Sequence, residues 1–214
     1  MNPASTKPKT NMKTKPSQSA FTLIELLVVI TIIGVLSALS IPAIGAASRK
    51  VKLAVAKSEL ASIETAISGY KHDFAFYPPS GTDPLVNPLY IELAGTVMTN
   101  KTSYVLLDNP AQGIVTIPAN SIKGYLNATR DQSGEDVPFA KNYFKSLSPK
   151  MVAEPQAGFP VLVSTVGDLN VWRYKNHGDH NTETYDLWLQ LVINGRTNLI
   201  CNWSKAVQIN TADQ

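Results

Sequence analysis

Residues 19–45 read SAFTLIELLVVITIIGVLSALSIPAIG. From Phe21 to about Ile44 the run is predominantly apolar, and as a helix rising 1.5 Å per residue it covers about 36 Å. The hydrocarbon core of a bilayer is about 30 Å thick, so the run is long enough to span it. Its one charged residue is Glu25, and an ionisable side chain in a membrane segment is unfavourable unless it has a partner. The sequence therefore predicts a transmembrane helix that carries a functional acid.

A basic leader precedes this run. It contains four lysines and no acid: Lys7, Lys9, Lys13 and Lys15. These lysines account for the net charge of +3, because the other 15 of the 19 basic residues nearly balance the 16 acidic ones. A nucleic-acid-binding surface is therefore not expected. Under the positive-inside rule the leader stays cytoplasmic and the C-terminal bulk lies outside. A secretory signal peptide is the alternative, but its apolar region is normally about 7–15 residues, which is shorter than this run.

The stretch AFTLIELLVVITIIGVLSALSIPA (20–43) resembles the N-terminus of type IV pilins and type II secretion pseudopilins. The resemblance rests on the hexapeptide FTLIEL, followed by Gly34 and Pro42. It implies that a prepilin peptidase cuts between Ala20 and Phe21 on the cytoplasmic face and methylates the new amine of Phe21. The family usually has glycine before the cut, whereas this chain has Ala20, the next smallest residue.

The resemblance also implies an assembly role for Glu25, Gly34 and Pro42. Glu25 would be the fifth residue of the mature chain and would neutralise the N-terminal amine of a neighbouring subunit in a filament. Pro42 lacks a backbone donor and obstructs the carbonyl of Ala38, so the segment from Gly34 to Pro42 is predicted to kink or melt locally when helices pack. Both residues are also common in ordinary membrane helices, which is the alternative reading.

The helix is predicted to continue beyond the membrane to about residue 75. Apolar residues there follow a spacing of three and four, which is typical of an amphipathic helix packed on the chain's own sheet. They are Leu53, Ala56, Leu60, Ile63, Ile67, Tyr70 and Phe74. Charged residues lie off this stripe, namely Lys50, Lys52, Lys57, Glu59, Glu64 and Lys71. The sequence FYPPSG ends the helix, since its two prolines and its glycine are breakers.

The rest of the chain is predicted to be mixed and then β-rich. A short helix is expected after Asn87 and before Gly95, a second helix from about Pro138, and a strand between 113 and 118. Near the C-terminus, FPVLVSTVG (159–167), VWRY (171–174), TYDLWLQLVI (184–193) and RTNLICNW (196–203) are candidate strands. Asn194-Gly195 between the last two is a strong hairpin signal, and Trp188 and Trp203 are expected to pack in that hairpin or against the helix.

These elements together predict an α+β, pilin-like fold. A long N-terminal helix, transmembrane in its first half and amphipathic in its second, packs on a C-terminal antiparallel sheet. The motifs YKHDFAFYP (70–78), YDLW (185–188) and NLICNW (198–203) resemble the major pseudopilin. The expected organisation is a cleaved leader (1–20), a transmembrane and assembly helix (21–45) and a periplasmic head (46–214). The head comprises an amphipathic helix (46–75), a variable region (76–158) and a β-sheet (159–209).

No cofactor is expected, with calcium as the one open alternative. The sequence HGDH (177–180) has too few ligands for a closed zinc site. Asp179, Asn181 and Glu183 alternate like the start of a calcium loop, but an EF-hand would need glycine at 184 and glutamate at 190, where this chain has threonine and glutamine. The resemblance implies a calcium loop after YDLW, yet the loop here is INGR, without an acid. Any site would be built from Asp168, Asp179, Asn181, Glu183 or Asp186.

The predicted function is that of a structural subunit and not of an enzyme. The sequence has no nucleophile motif, phosphate loop or Cys–His pair, and His72 is expected on the surface. The resemblance implies copies of the chain, other pseudopilins, the prepilin peptidase, the inner-membrane assembly platform and the membrane itself as partners, in a bacterial inner membrane with the head in the periplasm. The C-terminal motifs and the single cysteine, Cys201, favour a secretion pseudopilus over a type IV pilus. The alternative is a membrane-anchored periplasmic protein or hydrolase that uses the helix only as an anchor.

Overall fold

The computed structural model describes residues 21–100, 103–107, 114–116, 125–129, 139–156 and 158–209. Within these ranges, the side chains of 39–44, 99–100, 114–116 and 156 are not described. The leader lies outside the described residues. The chain divides into two compact units, Met1–Ala47 and Ser48–Gln214, and each is described by itself.

The first unit contains the start of helix α1 (Leu23–Phe74). The predicted bounds, 21 and 75, agree with the observed ones within two residues at each end. The large apolar side chains at the start of the helix, from Leu23 to Leu36, are exposed. Among the residues that the structure describes, no helix has the length and apolar character needed to cross a membrane.

In the second unit, the predicted apolar stripe of α1 forms one side of the core. Ala56, Ile63, Ile67 and Tyr70 are fully buried, and Leu60 is almost so. Leu53 and Phe74, the two ends of the stripe, are partly buried against the same core. The 3.6-residue period of the helix brings these side chains to one face, so the amphipathic prediction is confirmed.

The described part of the second unit contains one further α-helix, a short 3-10 helix and ten strands. The α-helix is α2 (Leu89–Ala94), and the 3-10 helix is Pro149–Met151. The strands are β1 (Thr96–Asn100), β2 (Ser103–Leu106), β3 (Ile114–Thr116), β4 (Ala128–Thr129), β5 (Val152–Gln156), β6 (Phe159–Leu162), β7 (Arg173–Asn176), β8 (Tyr185–Ile193), β9 (Arg196–Cys201) and β10 (Gln208–Ile209). They form sheets with the orders β3-β2-β1-β4, β10-β9-β8-β7 and β5-β6.

The C-terminal sheet is antiparallel throughout and contains the predicted hairpin. Strands β8 and β9 pair from Trp188 opposite Cys201 to Ile193 opposite Arg196. The turn residues Asn194 and Gly195 have φ of 52° and 72°, both positive, as a two-residue type I′ turn requires. The rings of Trp188 and Trp203 meet edge to face with centroids 5.8 Å apart. The hairpin and the contact between its two tryptophans are therefore confirmed.

The middle of the chain is partly as predicted. Helix α2 starts one residue after Pro88, and Asn87 Oδ1 accepts from the backbone N–H of Leu89 at 3.3 Å. Gly95 ends it with φ of 78°, and strand β3 falls inside the predicted 113–118. Strands β1, β2, β4 and β5 were not predicted from the sequence.

The helix predicted from Pro138 is wrong. Residues 139–148 form no helix. Their backbone is bonded elsewhere instead: the N–H of Lys141 donates to Asn127 Oδ1 at 2.9 Å, and the N–H of Tyr143 donates to the carbonyl of Leu93 at 2.9 Å. The Lys141 side chain in addition pairs with Asp73 at 2.7 Å. These tertiary bonds use the groups that a helix would have needed, and they override the local propensity.

Candidate assembly and processing site

Thr22 and Glu25 cap the N-terminus of α1. The backbone N–H and the hydroxyl of Thr22 each donate to Glu25 Oε2 at 2.8 Å, and the backbone N–H of Glu25 donates to Thr22 Oγ1 at 3.3 Å. This reciprocal arrangement is a capping box, in which threonine is the N-cap and glutamate the third helical residue. The predicted functional acid thus has an intramolecular partner in the single chain.

The capping box positions the Glu25 carboxylate next to the predicted processing junction. Its oxygen binds the backbone N–H of Thr22, which is one residue from the nitrogen of Phe21. Phe21 is exposed, and so are Thr22 and Glu25. A carboxylate in this position can leave its own helix cap for a cation of another molecule, because nothing buries it. The role of Thr22 was missed from the sequence, although the signal for it, threonine three residues before glutamate, is present there.

The structure gives local detail for Gly34 but not for the side chain of Pro42. An added Cβ at Gly34 would meet nothing within 4 Å. Pro42 lies within α1, and its side chain is outside the described ones. Ala20 also lies outside the described residues. The assembly roles of Gly34 and Pro42 and the processing role of Ala20 therefore stay predictions.

Two of the five candidate calcium ligands, Asn181 and Asp186, are in contact. Asp186 is buried, and its carboxylate accepts from the backbone N–H groups of His180 at 2.9 Å and Asn181 at 3.0 Å. Asp179 pairs with Lys175 at 2.6 Å, and the Asn181 amide donates to the carbonyl of Tyr185 at 3.1 Å.

The other two candidates, Asp168 and Glu183, are exposed. Within the described ranges, no three histidine, cysteine, aspartate or glutamate side chains come together in a way that could hold a metal ion. Asp186, the second residue of β8, contacts the turn that contains Asp179 and Asn181, and the polar atoms of these three residues bind other groups of the protein. Calcium binding stays a prediction. Gly178 lies so close to Asp186 that an added Cβ would overlap its carboxylate.

Two buried acids in the second unit were missed. Glu59, expected on the solvent side of α1, is only 7% exposed. Its carboxylate accepts from the hydroxyl of Ser164 at 2.7 Å, from the backbone N–H of Thr165 at 2.9 Å and from the Thr165 hydroxyl. It connects α1 to the loop between β6 and β7. The partners lie more than one hundred residues away, so no local pattern indicates them.

Glu92 is the second buried acid. It accepts from the hydroxyl of Tyr70 at 3.1 Å and from the backbone N–H groups of Leu126 at 2.9 Å and Asn127 at 3.0 Å. Burial, and then the neighbouring Glu92 carboxylate, raise the pKa of Tyr70, so this phenol stays protonated and donates. Glu92 joins α2 to α1 and to the segment before β4. Both buried acids therefore connect segments of the head through hydrogen bonds. Glu25, by contrast, is exposed.

The start of α1 matches a known protein family. Residues 15–41 match a family profile described as the prokaryotic N-terminal methylation motif. The chain carries that motif. The matched range includes Ala20, Phe21, Glu25 and Gly34, and it stops one residue before Pro42.

Three curated relatives, each called type II secretion system core protein G, are similar to the chain. The protein from Pseudomonas aeruginosa is 41% identical over 71 residues, which are 32% of this chain and 50% of the relative. The protein from Aeromonas hydrophila is 40% identical over 75 residues, 34% of this chain and 52% of the relative. The protein from Escherichia coli is 36% identical over 97 residues, 44% of this chain and 66% of the relative.

The chain thus spans about half the length of the first curated relatives that it matches. No solved structure matches it. The resemblance to the pseudopilins of type II secretion is confirmed by the motif and by these relatives, which are named as secretion-system core proteins and not as enzymes.

Proposed function

We propose that the chain is a structural subunit of a type II secretion pseudopilus, processed by a prepilin peptidase and assembled through its N-terminal helix. The observation that carries this proposal is the methylation motif over residues 15–41. The names of the three relatives favour the secretion pseudopilus over a type IV pilus.

Processing is the first step of the proposed function. The peptidase cuts between Ala20 and Phe21, removes the lysine-rich leader and methylates the amine of Phe21. A small residue before the cut is compatible with the family pattern. The exposed position of Phe21, two residues before α1 begins, supports access to the modified end.

Assembly is the second step, and it changes the partner of Glu25. In the single chain the carboxylate closes the capping box with Thr22. In the filament it binds the positively charged amine of a neighbouring Phe21, because an ion pair in lipid offsets the cost that an isolated carboxylate carries there. The partners are copies of this chain, other pseudopilins and the inner-membrane assembly platform.

The membrane location is part of the proposal and rests on the sequence. The apolar run of residues 21–45 spans the bacterial inner membrane, the leader is cytoplasmic before cleavage, and the head from residue 46 is periplasmic. The exposed apolar side chains between Leu23 and Leu36 support this location, since water is a poor solvent for them.

Mass spectrometry of protein recovered from assembled filaments tests the proposal. The mature chain is expected to begin at Phe21 and to carry one methyl group on its amine. Replacing Ala20 with leucine should leave the unprocessed precursor in the membrane, whereas Ala20→Gly should be processed at least as well as the natural chain. Filaments built from chains that retain residues 1–20 would contradict the proposed processing.

A further inference from the structure

The second unit has a basic and aliphatic surface where its part of α1 begins. Between residues 46 and 58 the sequence contains four basic residues and no acid. Lys50 and Lys52 are exposed, and Val51 between them is 62% exposed. Val55, one turn further, is also exposed. A water-facing helix normally has polar residues at such positions, so these valines need an explanation.

The tip of the β8–β9 hairpin lies at this same end of the unit. Arg49 donates from Nη2 to Asn198 Oδ1 at 2.8 Å. Asn198 is fully buried, and its amide donates to the carbonyls of Arg196 at 2.9 Å and Leu191 at 3.2 Å. A side-chain hydrogen bond therefore joins the hairpin to the first turn of the unit's helix. Near its tip, Val192 is 65% exposed and Arg196 is exposed.

The loop between β6 and β7 adds a third element. A Cβ at Gly167 would lie 3.3 Å from Leu191 Cδ1, and Leu191 pairs with Asn198 across the hairpin. Two residues on, Leu169 is 63% exposed. Asp168 beside it is exposed and is the acid of this loop.

We call this end of the unit the basal surface, defined by Lys50, Val51, Lys52, Leu169, Val192 and Arg196. It comprises three basic and three aliphatic side chains, all exposed, on the start of the unit's helix, the β6–β7 loop and the β8–β9 hairpin; Asp168 precedes Leu169 in the loop. Exposed aliphatic side chains together with lysine and arginine are typical of protein surfaces that bind a membrane. The cations bind anionic lipid headgroups, and the aliphatic side chains enter the boundary between the headgroups and the acyl chains.

We propose that the basal surface docks on the headgroups of anionic phospholipids in the bilayer that holds the same chain. This inference rests on the proposed membrane anchoring of residues 21–45. It goes further by giving the head a lipid-binding surface of its own. The continuity of the chain supports it, since the apolar run ends at residue 45, directly before the basic segment. A docked head is held at the bilayer until assembly removes it.

The test uses the full-length chain in lipid vesicles. Cys201 is replaced by alanine, and an environment-sensitive fluorophore is attached through Val192→Cys. The matched control carries the same label through Leu85→Cys. Leu85 is likewise exposed and apolar, but it lies beyond the C-terminal end of α1, where Tyr174 binds the carbonyls of Pro78 and Pro84. The vesicles contain phosphatidylcholine alone or with phosphatidylglycerol, and a headgroup-linked quencher reports contact with lipid.

The label at 192 is expected to be quenched in the anionic vesicles and much less in the neutral ones, while the label at 85 stays unquenched in both. Lys50→Glu combined with Lys52→Glu should lower the ratio of docked to undocked heads by about fivefold or more for each lysine. Lys145→Glu combined with Lys150→Glu makes the same change of charge at exposed positions elsewhere and should have no effect.

Quenching at 192 that is the same in both lipids, or that does not respond to the Lys50 and Lys52 changes, would overturn the proposal. A spectral shift at 192 that follows protein density and not the lipid quencher would assign the surface to contacts between copies, and would also overturn it. The anchoring is read separately, by flotation of the protein with the vesicles. Loss of flotation contradicts the proposed function, whereas flotation without quenching contradicts only the basal surface.

Discussion

The two parts of helix α1 use their side chains in opposite ways. In the first unit, the large apolar side chains from Leu23 to Leu36 are exposed, and the exposed acid Glu25 is hydrogen-bonded to Thr22, three residues before it. In the second unit, the apolar stripe is buried, and the acid Glu59 is buried with partners from a distant loop. The second part packs its apolar side chains in the core, whereas the first part presents them at the surface. If the proposed function holds, substitutions along this one helix separate folding from assembly.

The largest effect is expected from Ile67→Asp in the buried stripe. Ile67 is fully buried, so the new carboxylate would have neither water nor a cation beside it. We expect a loss of at least about 4 kcal/mol in the free energy of unfolding, which is comparable with the whole stability of many domains. Urea unfolding of the full-length protein in detergent measures this loss. Ser68→Asp, an exposed neighbour on the same helix, should change stability little, and a normal head in the Ile67→Asp variant would refute the packing described above.

A somewhat smaller effect is expected from Glu59→Ala. The change leaves the hydroxyl of Ser164 and the N–H of Thr165 without their acceptor, and hydrogen bonds to charged groups contribute about 1.5–3 kcal/mol. We expect a stability loss of about 3 kcal/mol. Glu64→Ala is the matched control on the same helix, since Glu64 is only half-buried, and it should cost clearly less. Equal losses in the two variants would show that the buried network does not contribute.

Glu25→Ala should affect assembly and leave folding alone. The carboxylate is hydrogen-bonded to Thr22 at the start of α1, far along the chain from the core of the head, so the urea unfolding of the head should be unchanged. Filament yield should fall at least about tenfold, because the neighbour's amine loses its anionic partner in lipid. Glu25→Gln separates the causes: a yield as low as that of alanine shows that charge is needed, and a normal yield shows that a hydrogen bond suffices. Normal filaments from Glu25→Ala would favour the simple-anchor alternative.

The smallest effect is expected from calcium. The Asp186 carboxylate is already bound to two backbone N–H groups, so added calcium should leave the thermal unfolding midpoint of the head unchanged. A ligand that binds the folded state raises this midpoint by mass action, so calorimetry with and without a chelator is a direct measurement. Asp186→Asn should lower the midpoint equally in both conditions. A rise with calcium that Asp186→Asn abolishes would identify Asp186 as a ligand.

Much of the fold was predictable because it depends on patterns between residues that are close together in the sequence. The stripe from Ala56 to Tyr70 follows from helical period, and the hairpin follows from Asn194-Gly195, whose backbone conformation few other residue pairs adopt readily. The capping box also needs only Thr22 and Glu25, three residues apart. In the candidate site, the sequence therefore determined the motif, the position of the acid and the helix that presents it.

Tertiary structure alone decided which polar groups are used within the chain. The sequence places Glu59 on the solvent side of α1, whereas in the fold it binds Ser164 and Thr165 of a distant loop. The Asp186 carboxylate accepts from the backbone of His180 and Asn181, two contacts that no local pattern in the sequence indicates. The helix expected after Pro138 was lost for the same reason, since its N–H groups bind other segments. A buried polar group must find a partner, and the partner that the fold brings closest can lie anywhere in the sequence.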